Sequence, residues 1–231
     1  MKKSTTRLIP TWVHSLEDYQ RMFDLQDQDL SRLILDYPAG ISSFNAQMHA
    51  RGFHRVISAD DYYDLKPLDM AKHVDQTIQQ LAMQLESYAD RIHPEKNKTV
   101  EDILNAWNHD AQLFLSDYSV GKLDGRYQSA RLPRLPFTDF QFELVLCSDL
   151  LFRDKMALPE KTIIELCRVA HEVRIFPLLD EQGKIATDLG PTLLILQNKN
   201  YGTEIREVPY QLLKGSNAVL RVWAKACVVS K

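Results

Sequence analysis

The chain predicts an α/β fold on a mostly parallel sheet, and three observations carry this reading. Short apolar runs of strand length alternate with amphipathic segments of helical period. The run Phe142-Glu-Leu-Val-Leu-Cys-Ser148 is nearly continuous in apolar residues, as a strand covered on both faces must be. The last two expected strands, 204–208 and 218–224, are joined by a short loop containing Gly215, which suits antiparallel neighbours.

The elements follow in order. Ser15-Leu-Glu-Asp18 has capping-box spacing, and Leu16, Tyr19, Met22 and Phe23 continue it at helical period. Strands are expected at 33–36, 55–59, 125–129, 142–148, 173–176, 204–208 and 218–224. Ser42 or Ser43 is the expected cap of a helix that carries Phe44 and Met48 and stops at Gly52. After the second strand comes a helical excursion. Pro67 suits a first turn, and Met70, Val74, Ile78, Leu81, Leu85, Tyr88 and Ile92 repeat at steps of three and four. HPEKNK interrupts it, and Thr99-Val-Glu-Asp102 restarts a helix with Val100, Ile103, Leu104, Trp107, Ala111, Phe114 and Leu115 on one face. This predicts a helical hairpin over 67–116, open to three roles: cover for the sheet, homodimer contact or substrate lid. Further helices are expected at 160–169 and 189–197. No repeat or linker divides the chain, so one domain spanning 1–231 is expected, with a seven-stranded Rossmann-like sheet, helices on both faces and an antiparallel C-terminal hairpin.

Composition narrows the partners. With 45 % hydrophobic residues, 231 residues suffice for one sizeable core. A net charge of −3 provides no field for nucleic acid or an anionic membrane. Cys147, Cys167 and Cys227 are odd in number, widely spaced and set among apolar residues, which reads as reduced thiols without metal-ligand spacing. The basic start MKKSTTR precedes only the short apolar patch LIPTWV, too short for a signal-peptide core, and a cytoplasmic protein is expected.

The chemistry concentrates in LILDYPAGISSFN, residues 33–45, where a strand passes through one turn into a helix. In open α/β sheets ligands sit beyond the carboxyl ends of the strands. Asp60 follows Gly40 by 20 residues and ends the second strand, where a carboxylate can hold both ribose hydroxyls. A pyrophosphate requires further glycines for close approach, and Ser42 stands where the second would be. One glycine is enough room for the amino-acid tail of S-adenosylmethionine, and Asp36 would attract that tail's ammonium while opposing a pyrophosphate. A nicotinamide-dependent oxidoreductase is therefore disfavoured. Each of these residues can also be read as plain turn architecture.

The stretches MFDLQDQDLSRLILDYPAGISSFNAQMHARG, GRYQSARLPRLPF, FELVLCSDLLF, ELCRVAHEVRIFPLL and VPYQLLKGSN resemble class I S-adenosylmethionine-dependent methyltransferases, in particular a bacterial branch of them. The resemblance covers most of the chain and is weakest over 67–116. It implies that Asp36, Ala39 and Gly40 form the turn for the methionine tail and that Asp60 holds the ribose. It also implies that Ser129 and Ala130 contact adenine, and that Ser148 and Asp149 face the transferring methyl. The chain departs from the pattern in its reduced glycine turn and in Asp149, where a histidine is expected.

A sulfonium methyl is already activated, so positioning and exclusion of water carry most of such a transfer. A base is needed only where the acceptor must lose a proton, and Asp149 is the candidate. His171, His49 and His54 read as structural or surface residues, and Tyr62-Tyr63 as packing or an adenine stack. No Asn/Asp-Pro-Pro-aromatic run follows the fourth strand, which argues against amino-methylation of flipped bases, and the nucleophilic-cysteine arrangement of cytosine-5 enzymes is lacking. Arg126, Arg131 and Arg134 form a small basic cluster that would meet an anionic substrate or face solvent. The expected function is methyl transfer to a small-molecule acceptor. The alternative is a binding or scaffold protein that kept the fold after losing activity.

Overall fold

All seven expected strands join one sheet. The computed structural model describes residues 12–93, 99–152, 158–180 and 182–225. The basic start, the first part of LIPTWV, most of HPEKNK and Cys227 lie outside the described residues. The elements run α1 (Leu16–Met22), α2 (Asp27–Leu30), β1 (Ile34–Asp36), α3 (Phe44–Ala50), β2 (Val56–Asp60), α4 (Pro67–Ser87), α5 (Val100–Leu123), β3 (Tyr127–Ser129), β4 (Phe142–Ser148), α6 (Pro159–Val169), β5 (Ala170–Phe176), α7 (Leu189–Asn198), β6 (Tyr201–Glu207) and β7 (Ala218–Ala224). The strand order is β3-β2-β1-β4-β5-β7-β6. β7 runs antiparallel to both its neighbours, and the other pairings are parallel. The order reverses between β1 and β4, so the carboxyl ends of these two strands flank the topological switch point.

The pleat of β4 sorts its side chains by period two. Val145 and Cys147 enter a core with α6 and α7, whereas Leu144 and Leu146 enter the opposite core with α1 and α3. A third cluster gathers α4 and α5 around Trp12, Ala39, Ile41, Tyr63 and Tyr127. The helical hairpin thus packs on the turn after β1 and on the edge of the sheet.

The capping boxes form as expected: Asp18 N–H donates to Ser15 Oγ (3.1 Å) and Asp102 N–H to Thr99 Oγ1 (3.1 Å), each aspartate answering to the cap N–H. Other boundaries differ for physical reasons. The hairpin runs to Leu123, not 116, because Tyr118 and Gly121 extend the buried stripe beyond Leu115. β6 begins at Tyr201, not 204, and its Gly202 lies under the Trp223 ring, where an added Cβ would come within 2.2 Å. β5 begins at Ala170, directly after α6. Neither Ser42 nor Ser43 caps α3 through its side chain. Ser43 Oγ instead donates to Asp110 on α5 (2.6 Å), and Ser42 Oγ accepts from His14 N–H (3.1 Å).

Candidate functional site

The turn after β1 is pinned to the end of β2. Ala39 N–H donates to the Ala59 carbonyl (3.0 Å), Gly40 N–H to Asp60 Oδ2 (3.0 Å), and Tyr63 Oη to the Gly40 carbonyl (2.8 Å). Gly40 adopts φ +60°, the left-handed conformation that glycine enters without a Cβ penalty. The acidic residue 20 positions after the glycine is therefore hydrogen-bonded to that glycine. Ser129 is in register with Asp60, exposed at the end of β3, and the Ala130 N–H donates to the Asp60 carbonyl (3.2 Å).

The carboxyl ends of β1 and β4 bring the remaining expected residues together. Asp36, Asp60, Ser148 and Asp149 are 1 %, 3 %, 0 % and 4 % exposed. Asp36 accepts from Tyr19 Oη (2.8 Å) and Ser58 Oγ (2.9 Å), both neutral donors. Burial pushes its carboxyl up to about 7; those two hydrogen bonds restrain the rise and the neighbouring Asp60 charge adds to it. Ser148 Oγ lies near Tyr19 but has no hydrogen-bond partner of proper geometry among the described residues. A fully buried hydroxyl without a partner is costly, and a bound polar ligand is one way to satisfy it.

Asp149 follows at φ +54°, an unusual conformation for a residue with a side chain, and such strain concentrates at functional sites. Its Oδ2 accepts from the Trp12 N–H (3.3 Å) and lies 3.0 Å from His14 Nε2. His14 Nδ1 is 3.5 Å from Tyr210 Oη, on the connection between β6 and β7. The segment Trp12–His14 thus lies against the end of β4 and the turn after β1. Sequence reasoning missed His14, and no local signal could have found it, because its partner is 135 residues away. It also missed His73, on α4, which packs against Tyr62 with ring centroids 4.1 Å apart. Burial lowers the His73 imidazole, opposed by the charge of Asp60.

The basic cluster is not formed. Arg126 is buried before β3, with its guanidinium on Asp117 (2.6 and 2.7 Å) and Asn45 (2.8 Å). Arg131 is exposed and pairs with Asp61 (3.0 Å), and Arg134 is exposed and pairs with Glu165 (3.4 Å). His49 and His54 hydrogen-bond each other through Nδ1 atoms 2.9 Å apart, and exposed His171 stacks on Phe140. Cys147 and Cys167 are buried thiols, and burial pushes Cys167 up to about 12, far from a nucleophile's range. No group of three or more metal-ligating side chains occurs among the described residues, and none of their helices is long and apolar enough to cross a membrane.

No protein-family model matches the chain. The uncharacterized protein MJ0045 of Methanocaldococcus jannaschii is 29 % identical over 211 residues, covering 89 % of this chain and 92 % of that one. That relative is archaeal, so the bacterial branch expected from the resemblance is not supported. Among solved structures, the PH0226 protein of Pyrococcus horikoshii is 13 % identical with a TM-score of 0.42, over 84 % of this chain and 81 % of that one. Magnesium protoporphyrin IX methyltransferase from Synechocystis, solved with bound SAH, is 12 % identical with a TM-score of 0.43, over 86 % and 77 %.

Proposed function

We propose that the chain is an S-adenosylmethionine-dependent methyltransferase acting on a small-molecule acceptor. The observation that carries this reading is the joined pair of strand ends: Asp36 closes β1, Asp60 closes β2, and the Gly40 turn between them is hydrogen-bonded to Asp60. The donor set suits that cofactor. Asp60 can accept from ribose hydroxyls. Asp36, bonded here to neutral hydroxyls alone, gains a countercharge from an ammonium. The unpartnered Ser148 Oγ offers a polar contact beside it, and Ser129 and Ala130 border the adenine side. A pyrophosphate meets three buried carboxyl groups at this edge and is disfavoured.

When bound, S-adenosylmethionine supplies a methyl group already activated on a sulfonium. The chain's own residues bind, orient and exclude water, and the burial of the β1 and β4 ends serves that exclusion. Asp149, at the end of β4, is placed to hold a proton from the acceptor, directly or through His14. The pairing of Arg126, Arg131 and Arg134 with carboxylates supports a small acceptor over nucleic acid. A second reading, a fold that binds but no longer transfers, is favoured by one observation: Asp149 is already engaged by Trp12 and His14.

The test is transfer of labelled methyl groups from S-adenosylmethionine to separated metabolite, protein and RNA fractions. Label in the metabolite fraction supports the proposal. Label confined to RNA or protein overturns the acceptor class, and no label in any fraction favours the second reading.

A further inference from the structure

We propose that Trp12–His14 is a movable cover on the candidate cofactor site, latched on Asp149, and that ligand enters only when this latch opens. The inference rests on the cofactor reading above and adds a positioning role for His14. Its first ground is burial. The groups assigned to the ligand at the ends of β1 and β4 are at most 4 % exposed, so a ligand of nucleoside size reaches them only if something moves.

The second ground is how the cover is held. Trp12 N–H and His14 Nε2 both converge on Asp149 Oδ2. His14 N–H donates to Ser42 Oγ (3.1 Å), Ser42 Oγ to the Trp12 carbonyl (3.5 Å), and Ser43 N–H to the His14 carbonyl (3.2 Å). These partners belong to the end of β4 and to the turn entering α3, the same two places where the ligand is proposed to sit. Opening therefore frees the walls of the site. The Trp12 ring packs on Trp107 and Tyr88 of the helical hairpin, with centroids 5.9 and 6.3 Å apart, so opening must also part these rings.

The third ground is the hinge. Ser15 is the N-cap of α1, and its reciprocal bonds with Asp18 fix where the helix starts. Leu16 N–H is in addition held by Gln47 on α3 (3.0 Å). Residues 12–14 can swing about Ser15 without unwinding α1. Asp149, strained and already bonded, is then the catch that the cover engages when closed.

Stopped-flow mixing with S-adenosylhomocysteine, read by tryptophan fluorescence with calorimetry for affinity, tests this. In the parent the observed rate should level off with ligand concentration, at the opening rate of the cover. His14→Ala should raise that plateau about tenfold, as when one ordinary hydrogen bond no longer opposes opening. Should His14→Ala not fold, Ser42→Ala removes two of the cover's bonds and should raise the plateau in the same direction. A parent rate that stays linear to millimolar ligand, with the same slope in either variant, overturns the cover while leaving the cofactor reading intact. Calorimetry showing no binding to parent or variant defeats the cofactor reading, and the cover with it.

Discussion

Replacing Asp36 by Asn should stabilise the ligand-free protein, and by more at pH 8 than at pH 5. The carboxyl is buried among neutral donors and titrates near 7 in the folded chain, against an ordinary 3.8. Because the folded value lies above the unfolded one, the native state holds the proton more tightly. The stability Asp36 contributes is complete below about 4 and is lost as pH rises through about 7. At 1.36 kcal/mol per pH unit, the loss above pH 7 is on the order of 4 kcal/mol, of which about 2–3 falls between pH 5 and pH 8. Asn removes this loss and keeps the geometry: its oxygen accepts from Tyr19 Oη, and the Ser58 hydroxyl rotates to accept from its amide. Urea unfolding of parent and variant at the two pH values measures the difference. Equal gains at pH 5 and pH 8 would show that Asp36 is ionised throughout, and the reasoning would fall. The same variant should bind S-adenosylmethionine less tightly, since the tail's ammonium loses its counter-ion. A gain in stability at the expense of binding is the mark of a group kept for function.

Asp60→Asn should weaken S-adenosylhomocysteine binding by about 1–3 kcal/mol, the scale of lost charge-assisted hydrogen bonds, and unchanged calorimetric affinity would remove Asp60 from the site. Gly40→Ala should cost about 1–2 kcal/mol of stability even without ligand, because its φ of +60° is left-handed; an unchanged melting temperature would contradict this. Glu172 works oppositely to Asp36. Burial pushes it up, but hydrogen bonds from Arg174, Arg221 and Arg32 pull it down to about 2, so its stability is complete above about 4.5 and lost as pH falls through about 2. Glu172→Gln should therefore flatten the acid limb of the stability profile by on the order of 3 kcal/mol, and an acid limb identical to the parent's would refute that.

What was legible in the sequence was what neighbours in sequence decide. The β4 run, the two capping boxes and the spacing from Gly40 to Asp60 each depend on residues close in the chain or on one strand–turn–helix unit. They located the carboxyl edge where Asp36, Asp60, Ser129 and Ser148 lie. What was not legible depends on partners distant in sequence. Ser42 and Ser43 fit the spacing of caps, yet they serve His14 and Asp110. Arg126, Arg131 and Arg134 look like one basic group because they are close in sequence, but each turns to a carboxylate on a different part of the chain. Gly40 gave no sign of its left-handed backbone in the letters Pro-Ala-Gly, although the turn depends on it.

The most direct test of the central claim is ligand-dependent melting with S-adenosylmethionine, S-adenosylhomocysteine and NAD. A ligand that binds only the native state adds RT ln(1 + [L]/Kd), about 2.7 kcal/mol at a hundredfold excess over Kd. Both adenosyl compounds carry the ribose and amino-acid tail assigned to Asp60 and Asp36, so both should raise the melting temperature and NAD should leave it unchanged. No rise with either adenosyl compound at millimolar concentration, or a rise with NAD alone, would contradict the account.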